Sequence, residues 1–258
     1  MARLVAGGVI QFEGVTKHYG DKVAVDGLDL QVEDGELFVF LGPNGAGKTT
    51  SIKMCATLLQ PTEGRVFVDG LDASRDSLGV RTGIGYLPEN PFLYERLSGR
   101  QMINFVGEAR GLDADRLRRR ADELLAMLEL EEAADKPIKG YSHGMRKKVA
   151  IATALLHNPQ TLLFDEPTSG LDPRSARVVK DLLLGLKERG ATVFLSTHIL
   201  EVAERMCDRA GIIQGGRLVA VGTMEELRGG RDTSLEDIFL ELTGGAEVAE
   251  LASYLDDA

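Results

Sequence analysis

Between Val9 and Val32 apolar residues tend to alternate with polar ones, Leu28, Leu30 and Val32 standing between Asp29, Gln31 and Glu33. A period of two is the pattern of half-buried strands, so the chain is expected to open as sheet. Leu37 to Leu41 is apolar at every position, which suits a strand buried on both faces, and the glycine-rich stretch behind it leads into a helix expected to reach about Leu59. Arg65 to Val68, closed by Asp69-Gly70, and Ile84 to Leu87 before Pro88 read as further strands. From about Pro91 to His157 the period lengthens: Leu117, Ala121, Leu124, Leu125 and Leu128 share one helical face, and Ser98 is placed to cap. Strand signals return at Thr161 to Asp165, Thr192 to Ser196, Gly211 to Gln214 and Arg217 to Val221, with helices between the earlier ones and Gly215-Gly216 as a hairpin turn. Thr223 with Glu226 fits a capping box, and a helical tail is expected to end the chain.

Composition narrows the function classes. A chain of 258 residues, 43% hydrophobic, can bury one large core or two small ones. Lys and Arg number 30 against 40 Asp and Glu, and a net charge of -10 argues against nucleic acid as a partner. Cys55 and Cys207 have neither metal-ligand nor redox spacing, which reads as inert thiols in a reducing, cytosolic setting. Apolar runs fall short of the ~20 residues a membrane helix needs, and MARLVAGGVIQFEG lacks a signal-peptide pattern, so a membrane role would pass through a partner.

The chemistry centres on Gly42, Pro43, Asn44, Gly45, Ala46, Gly47, Lys48, Thr49 and Thr50. The run GPNGAGKTT matches GxxxxGK[ST], in which backbone amides cradle phosphates, the lysine reaches the β and γ groups and the hydroxyl ligates Mg2+. A glycine turn between strand and helix is the plainer alternative, but a second acidic element, LLFDEP, ends another apolar strand. There Asp165 can hold the magnesium shell and Glu166 can orient, or take a proton from, the water that attacks the γ-phosphate of ATP. Capping of the following turn by these two carboxylates is the competing explanation.

The order of these motifs resembles the ATP-binding cassette family over about residues 9 to 243. The resemblance implies an α/β fold: a P-loop NTPase (RecA-like) core with an N-terminal antiparallel β-subdomain and an α-helical subdomain inserted at about 91–157. It implies one nucleotide-binding domain over 1–243 and a helical tail over 244–258. Tyr19 in KHYG matches the family's adenine-stacking aromatic, YSHGM its signature motif with Ser142 and Gly144 as phosphate contacts, SGLD the dimer-seam loop ending at Asp172, and STH the γ-phosphate histidine, His198. In that family two subunits pair head to tail, each ATP lying between one phosphate loop and the other copy's signature segment. A homodimer, an integral membrane transporter subunit, ATP hydrolysis and a cytoplasmic position on the inner face of the membrane follow as expectations.

The chain departs from the family pattern in places. Glu89 in GYLPEN stands where glutamine is usual; it can still ligate a magnesium shell but adds negative charge near ATP. Tyr141, His143 and Met145 replace leucine, glycine and glutamine in the signature segment. With the tail SLEDIFLELTG, these features are similar to bacterial exporter ATPases for drugs, polyketides or polysaccharides. A soluble cassette motor without a membrane partner is the main competitor; a small-molecule kinase would leave YSHGM and SGLD without a role. Two basic clusters, Arg116 to Arg120 and Arg146 to Lys148, are expected on solvated faces or at subunit contacts.

Overall fold

The structure is a computed structural model that describes residues 9–230 and 233–243, so the tail expected over 244–258 lies outside the described residues. In chain order the elements are β1 (Ile10–Tyr19), β2 (Lys22–Val32), β3 (Leu37–Leu41), α1 (Lys48–Cys55), β4 (Glu63–Val68), β5 (Leu71–Asp72), α2 (Ser77–Gly83) and β6 (Ile84–Leu87). A helical stretch follows with α3 (Gly99–Ala109), α4 (Ala114–Met127) and α5 (His143–Leu155). The chain then returns to sheet through β7 (Thr161–Asp165), α6 (Pro173–Glu188), β8 (Thr192–Thr197), α7 (Leu200–Met206), β9 (Arg209–Gln214) and β10 (Arg217–Gly222), and closes with α8 (Met224–Arg228) and α9 (Leu235–Thr243).

Two sheets form. One is antiparallel, in the order β2-β1-β4-β5; the other runs β10-β9-β3-β8-β7-β6 and is parallel except for β10. Every residue of β3 is buried because the strand serves two cores at once. Leu37, Val39 and Leu41 join the core shared with the helical insert, while Phe38 and Phe40 turn to the core under the antiparallel sheet. Phe194 of β8 lies 5.7 Å from Phe38, 5.6 Å from Phe40 and 6.2 Å from Phe12 between ring centroids, so the second core is bound by aromatic contacts across the sheets. Leu117, Ala121, Leu124, Leu125 and Leu128 are buried together, as their spacing predicts. Ser98 caps α3, and Thr223 with Glu226 forms the expected capping box.

Two expectations need correction, and two elements were not expected. Helix α1 ends at Cys55 rather than near Leu59: Thr57 turns left-handed at φ 59, and the amides of Leu58 and Leu59 both fold back onto the Lys53 carbonyl. β5 and α2 have no counterpart in the hydrophobic pattern, because α2 buries only Val80 and is held by its Asp76 cap. Lys147 and Lys148 are not on a solvated face; both are buried, Lys148 paired with Glu129 at 3.5 Å.

Candidate active site

The phosphate loop joins β3 to α1 and is shaped by its glycines. A Cβ on Gly42 would stand 2.4 Å from the Ile213 carbonyl oxygen, and one on Gly47, whose φ is 116, would stand 2.6 Å from that of Ala24. Neither position admits a side chain without moving the backbone. Lys48 folds back over the loop, its Nζ donating to the carbonyls of Gly42 (2.5 Å) and Pro43 (3.1 Å), 3.8 Å from Glu166 Oε1. Burial lowers the pKa of this ammonium, opposed by the charges of Glu166, Asp165 and Glu89.

Parallel pairing of β7 with β8 sets Asp165 beside Ser196. Asp165 Oδ1 accepts from Thr49 Oγ1 at 3.1 Å and from Ser196 Oγ at 2.5 Å, while its Oδ2 is buried with no hydrogen-bond partner among the described residues. A bare carboxylate oxygen beside a hydroxyl is a hard oxygen set, and it fits Mg2+ better than a thiolate-seeking metal. Glu89 lines the same cleft and is exposed.

Glu166 is buried in a left-handed conformation at φ 49, which costs a non-glycine residue roughly 1–3 kcal/mol. Its amide donates to the Ser196 carbonyl at 3.1 Å. Its carboxylate takes Thr197 Oγ1 at 3.2 Å and meets His198 Nδ1 at 2.9 Å. With Glu166 ionised, that contact requires Nδ1 to carry the proton, so the imidazole is oriented by the carboxylate beside it. A carboxylate held this way is equipped to orient a water and accept its proton.

A cleft of about 450 Å3 opens over these groups, lined by Tyr19, Lys22, Ala24, residues 43–50, Glu89 and Glu166. Tyr19 ends β1 with its ring half exposed and Lys17 Nζ 5.6 Å from the ring centroid. Ser142 and Asp172 lie elsewhere, as helix caps. Ser142 Oγ accepts the Met145 amide at 3.2 Å, and Asp172 Oδ1 the Ser175 amide at 3.0 Å. Gly144 is buried, with Leu171 Cδ2 3.5 Å from where its Cβ would stand. Ser142, His143 and Asp172 therefore occupy an outer surface, and none of them lines the cleft.

Sequence reasoning did not single out Lys22, Ala24, Ser196, Thr197 or Lys147. Ser196 and Thr197 could have been found from the hydroxyls ahead of His198 in β8. Lys147 carried no such signal, since a basic residue in a basic run reads as surface.

The chain is similar in sequence and fold to known proteins. A family profile described as "ABC transporter" matches residues 25–169. The daunorubicin resistance ATP-binding protein DrrA3 of Streptomyces coeruleorubidus is 43% identical over 96% of this chain and 79% of its own length. The Nod factor export ATP-binding protein I of Cupriavidus metallidurans is 37% identical over 85% of this chain and 72% of its own. Among solved structures, an ATP-binding subunit of an ABC transporter superposes with a TM-score of 0.84 at 33% identity, covering 92% of this chain and all of that one. A dimeric cassette in a post-hydrolysis state with ADP and Pi gives 0.77 at 29% identity, over 83% of this chain and 98% of that one. A P-loop core with a helical insert, a cleft lined by Lys48, Thr49 and Glu166 with Asp165 bonded behind Thr49, and likeness along nearly the whole chain lead to one conclusion: the protein belongs to the ABC transporter family, as an ATP-binding ATPase subunit.

Proposed function

We propose that the chain is the motor of an exporter, in which two copies close head to tail around two ATP molecules and drive an integral membrane partner from the inner face of the membrane. The observation that carries this reading is the split of the candidate residues between two surfaces. The cleft is lined by Tyr19 and Lys48 for the nucleotide, by Thr49 and Glu89 for Mg2+, with Asp165 buried behind Thr49, and by Glu166 for the attacking water, with His198 bonded to it. Ser142, at the start of α5, and Asp172, at the start of α6, sit apart, where a second copy's phosphates can meet the positive end of α5. Bound Mg2+ would neutralise charge on the β and γ phosphates. Within the chain, Lys48 binds those phosphates, Glu166 takes the proton of the water, and His198, oriented by Glu166, contacts the γ-phosphate.

A membrane partner is supported by an apolar surface that the cassette does not cover. Phe92 is 84% exposed, and Phe92, Tyr94 and Phe105 form an edge-to-face chain with centroids 6.0 and 5.4 Å apart. Near this insert lies a 240 Å3 groove lined by Leu58, Tyr86 and Val106 with Arg81 and Arg110, which suits a short amphipathic helix. No helix among the described residues is long and apolar enough to cross a membrane. The relatives named for daunorubicin resistance and Nod factor export favour an exporter. The test is light scattering on the Glu166→Gln chain with ATP: a dimer is expected, and a persistently monomeric parent chain with full ATPase activity would refute the reading.

A further inference from the structure

Helix α5 starts on the outer surface at Ser142, yet five residues later Lys147 points into the interior and is 1% exposed. Its Nζ donates to the carbonyl oxygen of Glu166 at 2.5 Å and to that of Ser169 at 3.2 Å. These carbonyls stand at the two ends of one turn, which the Ser169 amide closes by donating to the Glu166 carbonyl at 3.3 Å. Burial lowers the pKa of Lys147, while the charges of Glu166, Glu89 and Asp165 act in the opposite direction. A lysine is rarely this buried without a salt-bridge partner, and an apolar side chain of the same length would fill the space without a desolvation penalty. The buried ammonium is satisfied by its two carbonyl hydrogen bonds.

We propose that Lys147 is a positioning residue for hydrolysis. It clips both ends of the Glu166–Ser169 turn, holds Glu166 at its left-handed φ of 49 and so aims the carboxylate at Thr197 and His198. Because Lys147 belongs to the helix that Ser142 opens, it also ties that aim to the surface offered to a second copy. The axial separation from Ser142 to Lys147 is about 7.5 Å at 1.5 Å per residue. A shift of α5 on engaging a nucleotide reaches the Glu166 carbonyl through one hydrogen bond and the far end of its turn, at Ser169, through the other. One helix thereby serves the other copy's phosphate at its tip and this copy's carboxylate along its side. The inference rests on Glu166 as the proton acceptor.

The test is phosphate release by the purified full chain over a range of ATP concentrations, with nucleotide affinity measured separately. Lys147→Met is expected to lower kcat by about 30- to 300-fold, the effect of an ångström-scale misplacement, with KM and affinity within about 3-fold of the parent. Lys147→Gln, whose shorter side chain keeps an amide donor, is expected to recover activity in part, to about 3- to 10-fold below the parent at unchanged KM. In single-turnover measurements on the Glu166→Gln background, Lys147→Met should add less than about 3-fold further loss, since both changes disable one group. Parent-like kcat in Lys147→Met overturns the proposal, as does a loss that multiplies undiminished onto that of Glu166→Gln. Should Lys147→Met fail to fold, Lys147→Gln decides: kcat 3- to 10-fold down at unchanged KM supports the proposal, and unchanged kcat or lost affinity overturns it. Normal turnover by Glu166→Gln alone removes Glu166 as the acceptor, and the proposal with it, whatever Lys147 does.

Discussion

Replacing Glu166 by glutamine removes one charge and little volume, so its consequences can be worked from the contacts. The carboxylate is buried, with His198 Nδ1 at 2.9 Å, Thr197 Oγ1 at 3.2 Å and Lys48 Nζ at 3.8 Å. General base catalysis contributes about 10²- to 10⁴-fold, so kcat should fall by at least about 100-fold, a barrier increase of about 3–5 kcal/mol. Binding should behave differently. At 3.8 Å and an effective dielectric near 20, the attraction of Lys48 to Glu166 is of order 4 kcal/mol before desolvation is subtracted. Losing it frees the ammonium for phosphate, so ATP affinity should hold or rise. Lys48 still has the Gly42 and Pro43 carbonyls, which limits the loss of stability to about 1–3 kcal/mol, a fall in Tm of roughly 2–12 °C. The assay is phosphate release beside fluorescent-nucleotide titration. A kcat within about 3-fold of the parent, or an affinity loss that matches the rate loss, would refute the reasoning.

Gly47→Ala sets a Cβ 2.6 Å from the Ala24 carbonyl at φ 116, and ATP affinity should drop at least about 100-fold while the circular dichroism spectrum is retained. Asp165→Asn leaves the orphaned oxygen position without its charge, and the Mg2+ concentration for half-maximal hydrolysis should rise about 10-fold or more; an unchanged requirement would argue against Asp165 as a ligand. His157 is held neutral, burial pushing its pKa down from 6.5 to about 4 while Nε2 bonds the Ile84 carbonyl. The unfolded chain binds the proton first as pH falls, so stability is lost between about 6.5 and 4, by up to about 3 kcal/mol. Urea denaturation of His157→Gln across that range should show a flatter profile than the parent's.

Much of the fold was legible because its causes are local. The uninterrupted apolar run of β3, the helical face from Leu117 to Leu128 and the capping box at Thr223 follow from backbone period and from hydrogen bonds within a few residues. β5 and α2 escaped because they bury too little for the period to register. The end of α1 escaped because it depends on a left-handed Thr57, a residue type that does not announce such a turn.

The same division runs through the site. The sequence by itself determined the phosphate loop, since glycine spacing, the lysine and the hydroxyl act within one short segment, and it marked Asp165, Glu166 and His198 as strand-end groups. Only the tertiary structure decided what they do to one another. Thr49 meets Asp165 across 116 positions and Glu166 meets His198 across 32, because β3 and β7 both pair in parallel with β8. The clearest case is Lys147: its charge reads as surface in the sequence, and only the packing of α5 against the Glu166–Ser169 turn shows the ammonium inside, bonded to the backbone of the carboxylate it positions. Charge along a chain records what water could solvate; which charges are withdrawn from water is settled when distant elements close over them.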